Sequence, residues 1–223
     1  MTQISYAVVY AEDGTFLLAW KPYLGYFFGN GKTGEVVPAG RELDGKVNYA
    51  FPGSARSSPE TVTAAARRAF QEQTGQPMPA TVATTEHEFA ASYAAAYFCL
   101  ADGTAVRDCS DACNTVSLAH SVPITSAIIS GKVKRYQDIA GYAAAHALVP
   151  WAYDNQLQET WSRNLLDAET WNWIQTWQSP LSGLEHAFAV MRYLRETILA
   201  AKPTTSAARA RPRLGAGLRA AST

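Results

Sequence analysis

The stretch SARSSPETVTAAARRAFQEQTGQ, residues 54–76, decides how the rest of this chain is read. Ser58, Pro59 and Glu60 make a helix start, with a hydroxyl to cap the first free N–H groups and a proline whose fixed φ suits the first turn. Val62, Ala65, Ala66, Ala69 and Phe70 recur at helical spacing and form one apolar stripe. The helix is predicted to run to about Gln73, where Gly75 supplies a left-handed stop. Arg68 and Glu72 lie four residues apart on its polar side and can pair.

Upstream, the apolar runs Ile4 to Tyr10 and Thr15 to Trp20 flank Glu12-Asp13-Gly14, which reads as a β-hairpin. Residues 25–50 are rich in glycine, with short strand pieces expected around Val36-Val37 and Val47 to Tyr49. No phosphate-binding loop is present, because Gly29-Asn30-Gly31 lacks a third glycine and a strand-to-helix setting. Downstream, strands are expected near Val82–Phe89 and Ala94–Leu100, followed by an Asp102-Gly103 turn. Residues 123–149 read as short helices, with one strand also compatible. Two helices close the pattern, over roughly 155–178 and 182–200. The first carries Leu157, Trp161, Leu165, Trp173 or Ile174, and Trp177, and the second carries Leu184, Phe188, Met191, Leu194 and Ile198. Five tryptophans fall between 151 and 177; at helical spacing they read as packing surface rather than a ligand cage. The order of elements predicts an α/β layered fold with helices on a mixed sheet.

Composition narrows the classes. Hydrophobic residues make up 48% and charged residues 17% of the 223, as in globular proteins. No apolar run reaches the length of a membrane span and no signal peptide is visible, so a cytoplasmic protein with no membrane partner is expected. The three cysteines, Cys99, Cys109 and Cys113, do not make a disulfide framework, and the last two read as a reduced pair on a loop. The formal net charge is zero, yet residues 201–223 carry Lys202, Arg209, Arg211, Arg213 and Arg219 and no acid. That tail is +5, the remaining 200 residues are −5, and its Ala/Pro/Gly/Ser/Thr composition predicts disorder. Without aromatics it is a poor nucleic-acid arm.

With Ser54 in the first glycine position, residues 54–76 resemble the Nudix box, which runs Gly, five residues, Glu, seven residues, Arg-Glu, an apolar residue, any residue, Glu-Glu, any residue, Gly, apolar. Glu60, Arg68, Phe70, Glu72 and Gly75 match, whereas Ser54, Ala69, Gln73 and Gln76 depart from it. Pro52-Gly53 and the preceding hairpin also fit. The resemblance implies a Nudix-like α/β/α sandwich with a mixed β-sheet plus C-terminal helices. It divides the chain into a Nudix-like domain over 1–150, a Trp-rich helical extension packing on it over 151–200, and a disordered basic tail over 201–223.

The family cleaves nucleoside diphosphates linked to another moiety, using divalent metal to activate water. That chemistry wants carboxylates at positions 69, 72 and 73, which project from one face. Here position 69 is Ala and 73 is Gln, so Glu72 is the expected metal ligand, with the neutral oxygen of Gln73 beside it, for Mg²⁺ or Mn²⁺. Glu72, Glu60 and Arg68 are the expected catalytic set. Glu60 reads equally well as a first-turn acid. Glu86 and Glu88, flanking His87, are candidate further acids by position, as are Glu35 and Glu42, although strand alternation also explains the first two. The four histidines, His87, His120, His146 and His186, show no metal-ligand spacing.

Two readings result. In one, a degraded metal-binding helix makes the protein a non-catalytic or weakly active module that binds a nucleotide-derived diphosphate, or a protein partner or second copy through 151–200. The alternative is a divergent metal-dependent hydrolase.

Overall fold

The structure, a computed structural model, describes residues 3–28, 35–42, 47–148 and 159–201. Its centre is strand β1 (Ile4–Tyr10), which pairs in parallel with β8 (Tyr93–Cys99) along its whole length, from Ile4 opposite Tyr93 to Tyr10 opposite Cys99. Strand β2 (Thr15–Lys21) returns antiparallel, and β7 (Ala83–Ala90) pairs antiparallel with β8. The hairpin opens quickly: β1 and β2 pair at Tyr10 and Phe16. The rest of β1's edge is taken by β6 (Gly53–Ala55), while β5 (Asn48–Ala50) pairs with β2. The sheet order is β5-β2-β1-β8-β7, with β6 on β1 and β9 (Glu159–Asn164) on β2. Strands β3 (Leu24–Phe28) and β4 (Glu35–Glu42) form a separate antiparallel pair.

Strands β1 and β8 read as near-continuous apolar runs because both of their faces are covered. Ala7, Val9, Ala94, Ala96 and Phe98 face helices α1 (Val62–Thr74) and α2 (Gly103–Val116), where Val62, Ala66, Phe70, Val106, Cys109 and Cys113 complete one core. Val8, Tyr10, Ala95, Tyr97 and Cys99 face the other way. There they meet Ile174 of α5 (Ala168–Gln175) and Phe188, Val190 and Met191 of α6 (Glu185–Tyr193), which continues as a wider π turn to Leu199. Helix, mixed sheet, helix is therefore the layer order, as the resemblance implied. A smaller cluster joins Val36 of β4 to α3 (Val122–Ile129) and α4 (Tyr136–Ala145).

Several expectations are corrected. Helix α1 begins three residues later than predicted. Thr61 is its cap, accepting the Ala64 N–H at 3.1 Å. Residues 57–60 instead close a turn, with the Glu60 N–H on the Ser57 carbonyl and the Ser57 N–H on the Glu60 carboxylate. Glu60 thus stands just ahead of the helix, not in its first turn. The stop is as expected: Gly75 has φ 77° and donates to the Gln71 carbonyl.

Asp102 does not lead a turn but caps α2. Gly103 behind it lies so close to the β1–β2 turn that a Cβ would collide with the Asp13 and Thr15 side chains. Cys109 and Cys113 accordingly sit on a helix as buried thiols, rather than on a loop. Residues 122–145 hold two helices and no strand among the described residues.

The predicted helix over 155–178 is the largest departure, because Glu159–Asn164 is strand β9, running antiparallel to β2. Its outer edge is gripped by α2. Asn114 accepts the Thr160 N–H at 2.8 Å and donates to the Thr160 carbonyl at 3.0 Å. An available sheet edge on one side and an amide partner on the other override a helical apolar period. Among the described residues of that stretch, only α5 and a following single turn, Thr176–Gln178, are helical. Trp171 and Trp173 are partly buried against the core and Trp177 is buried in it. Trp151, Leu157 and the tail from Lys202 to Thr223 lie outside the described residues. No helix among those described is long and apolar enough to cross a membrane.

Candidate functional site

Arg68 organises the box. Its position on the half-exposed side of α1 aims the guanidinium at the segment that leads into the helix. There Nε donates to Glu60 Oε1 at 2.9 Å, and one terminal nitrogen donates to Glu60 Oε2 at 2.8 Å and to the Ala55 carbonyl at 3.0 Å. The other donates to Ser54 Oγ at 2.9 Å and to Glu72 Oε2 at 3.3 Å. A guanidinium has five N–H donors, and each now has an acceptor. The bidentate pair with Glu60 is the strongest contact. Hydrogen bonding from Arg68 lowers the Glu60 pKa to about 2, helped by the Ser57 N–H and opposed by burial. The Arg68 pKa is raised, chiefly by its bonds to Glu60.

Gln73 turns the same way. Its amide oxygen accepts the Gly53 N–H at 3.0 Å and its amide nitrogen donates to the Gly53 carbonyl at 2.7 Å. Both hydrogen-bonding groups of one β6 residue are satisfied by one side chain, as Asn114 does for Thr160 on β9. Ala69 is fully buried. Gln76 reaches the Ala112 carbonyl of α2 at 3.5 Å. At all four departures from the box (Ser54, Ala69, Gln73 and Gln76) the side chain is therefore committed to internal contact.

The structure brings Glu60, Arg68 and Glu72 together in one ion network. Of the 69/72/73 set, only Glu72 offers a carboxylate, and Arg68 holds it. Hard dipositive ions want several oxygen donors. No group of three or more His, Cys, Asp or Glu side chains that could hold a metal occurs among the described residues. These residues do not fit Mg²⁺ or Mn²⁺.

Beside this network lies a cleft of about 560 Å³, lined by residues 56–62 with Gln3, Glu86 and Glu88. Glu86 accepts the Thr63 N–H in the first turn of α1 at 2.8 Å, and Glu88 pairs with Arg56 at 3.4 Å. The sequence placed these two acids near the box, and the structure puts them on one cleft with Glu60. It gave no signal for Gln3 or Arg56, which arrive there because β6 pairs with β1 and Arg56 donates its N–H to the Gln3 carbonyl. Glu42 is elsewhere, on β4, bonded by the Tyr23 hydroxyl; the Glu35 side chain lies outside the described residues. His87 stacks on Tyr193, His186 on Tyr93 and His146 on Tyr142.

No family model matches the chain, and no curated protein matches it. Among solved structures it is similar to a MutT protein from Methanosarcina mazei Go1, at 21% identity over 44% of this chain and 61% of that one, with a TM-score of 0.25. It is also similar to a mutT/nudix family protein from Listeria innocua, at 14% identity over 44% of this chain and 62% of that one, with a TM-score of 0.27. The chain thus spans 61% and 62% of the length of these two proteins. Likeness at this level assigns no activity.

Proposed function

We propose that this chain is a Nudix-type module that binds rather than hydrolyses, its box converted from a metal-gathering surface into a latch between α1 and β6. The supporting observation is the Gln73–Gly53 amide pair. A carboxylate at position 73 can accept the Gly53 N–H but cannot donate to its carbonyl, so the latch uses the property that separates Gln from Glu. Ser54, in place of glycine, adds an acceptor for Arg68. Ala69 adds apolar volume to the helix's buried side. Each departure that removes metal chemistry adds a local contact.

A pyrophosphate is not a good occupant of the adjoining cleft. Glu60, Glu86 and Glu88 line it; Arg68 is paired to Glu60 and Arg56 to Glu88, so neither guanidinium is left over for a phosphate. Phosphate recognition wants the opposite balance.

The test is turnover on ADP-ribose, NADH, dinucleoside polyphosphates and nucleoside triphosphates with millimolar Mg²⁺ or Mn²⁺, comparing wild type with Glu72→Gln. No turnover above background in either protein is expected. Metal-dependent turnover that disappears in Glu72→Gln would establish the divergent hydrolase instead.

A further inference from the structure

Strand β7 is paired on one side. Among the described residues β8 takes one of its edges and no strand takes the other, and residues 83–86, 88 and 90 are exposed. An open edge is a row of unmatched N–H and C=O groups that can template a further strand. The two faces of β7 differ. Glu86 and Glu88 point to the α1 side, where Glu86 accepts the Thr63 N–H and Glu88, 60% exposed, meets Arg56. His87 and Phe89 point to the α6 side, where both rings meet Tyr193.

A second copy of β7 continuing the sheet would set its glutamates beside Glu86 and Glu88, an unfavourable pairing. The sequence holds a better match. Residues 208–214, Ala-Arg-Ala-Arg-Pro-Arg-Leu, alternate without a break between apolar residues and arginine. An extended backbone puts Arg209, Arg211 and Arg213 on one face and Ala208, Ala210, Pro212 and Leu214 on the other. That pattern complements β7, with cations for the glutamate face and apolar groups for the ring face. Pro212 suits the same register, because backbone groups alternate as side chains do. With the arginine N–H groups toward β7, the N–H that proline lacks faces away.

The chain can reach. Tyr193 stacks on His87, and Ala201, the last described residue, follows eight positions later, about 12 Å along the helix. The seven residues from there to Ala208 span up to about 23 Å when extended, enough to turn back along β7. Composition denies this segment a core of its own. An added strand needs none, because the sheet edge supplies its backbone partners.

We propose that residues 208–214 of this chain add as a strand to the open edge of β7, with Arg209, Arg211 and Arg213 beside Glu86 and Glu88. The contact uses neither Arg68 nor Glu72, so it stands whether or not the box retains hydrolase chemistry.

The experiment is hydrogen exchange of the full chain at low salt and neutral pH, read by mass spectrometry over residues 83–90. Wild type is compared with the triple variant Arg209→Glu, Arg211→Glu, Arg213→Glu, with Glu88→Lys, and with all four changes together. Exchange in β7 at least about tenfold faster is expected in the triple variant and in Glu88→Lys, with protection regained when the charges are exchanged on both sides. Unchanged exchange in β1 and β8 confirms that each variant keeps its fold. Arg211→Pro is expected to expose β7 more than Arg211→Ala, because only proline removes an N–H aimed at the edge. Equal β7 exchange in wild type and the folded triple variant, or no recovery when all four changes are combined, would overturn the proposal. So would wild-type protection that rises with protein concentration, which would place the segment on a second copy.

Discussion

Replacing Gln73 with glutamate places a carboxylate against Gly53 and tests whether the latch is a structural device. The substitution keeps the shape of the side chain and the acceptor for the Gly53 N–H, but it removes the donor to the Gly53 carbonyl, a 2.7 Å bond. It also sets an anionic oxygen against that carbonyl. Losing one hydrogen bond costs about 0.5–1.5 kcal/mol, and leaving a partly buried carbonyl unmatched adds to it, so about 2 kcal/mol is expected. For a chain of this size, that lowers Tm by about 4–8 °C. The deficit has a pH signature. Protonating the introduced carboxyl restores a donor, so its folded-state pKa lies above the unfolded value, and the Gln73→Glu variant approaches wild type as pH falls through the carboxylate range. Thermal melts followed by circular dichroism at neutral and acidic pH measure both effects. A variant as stable as wild type at neutral pH, or one whose deficit is independent of pH, would refute the latch.

Glu60→Gln bears on the other half of the network. Because Arg68 depresses the Glu60 pKa to about 2 from an ordinary 4.5, its stabilisation is complete above the unfolded value and lost as pH falls from about 4.5 toward 2. With Arg68 one-third exposed, solvent screening leaves about 1–2 kcal/mol at neutral pH; urea midpoints of wild type and variant should converge near pH 2 to 3. Arg68→Lys keeps the charge but loses the planar fork that reaches four residues, and should cost about 1–3 kcal/mol by the same assay, whereas near-wild-type stability would mean that charge alone suffices. Asn114→Asp removes the donor to the Thr160 carbonyl and should speed hydrogen exchange in β9 before it affects β1 or β8; unchanged protection at Thr160 and Trp161 would rule that out.

How much was legible before any fold is seen differs by element. Helix α1, its glycine stop, the hairpin strands and the β7–β8 pair were readable because each depends on local period or on a residue with restricted backbone geometry. Arg68 with Glu60 and Glu72 was readable as a spacing. The start of α1 was misjudged because Ser58-Pro59 suits a turn as well as a helix, and Thr61 won by capping Ala64. Strand β9 was missed because Leu165 and the tryptophans repeat at helical intervals, while the edge of β2 that recruits it is more than a hundred residues away.

The sequence by itself determined a layered α/β fold with helices on a mixed sheet, the amphipathic helix α1 and the absence of an acid at positions 69 and 73. These are properties of residues close in the chain. Only the tertiary structure decided what Gln73 does instead and which acids share a cleft with Gln3. The Gln73–Gly53 pair spans 20 residues and the Asn114–Thr160 pair 46, and neither exists until strand pairing has fixed the backbone groups that these amides satisfy.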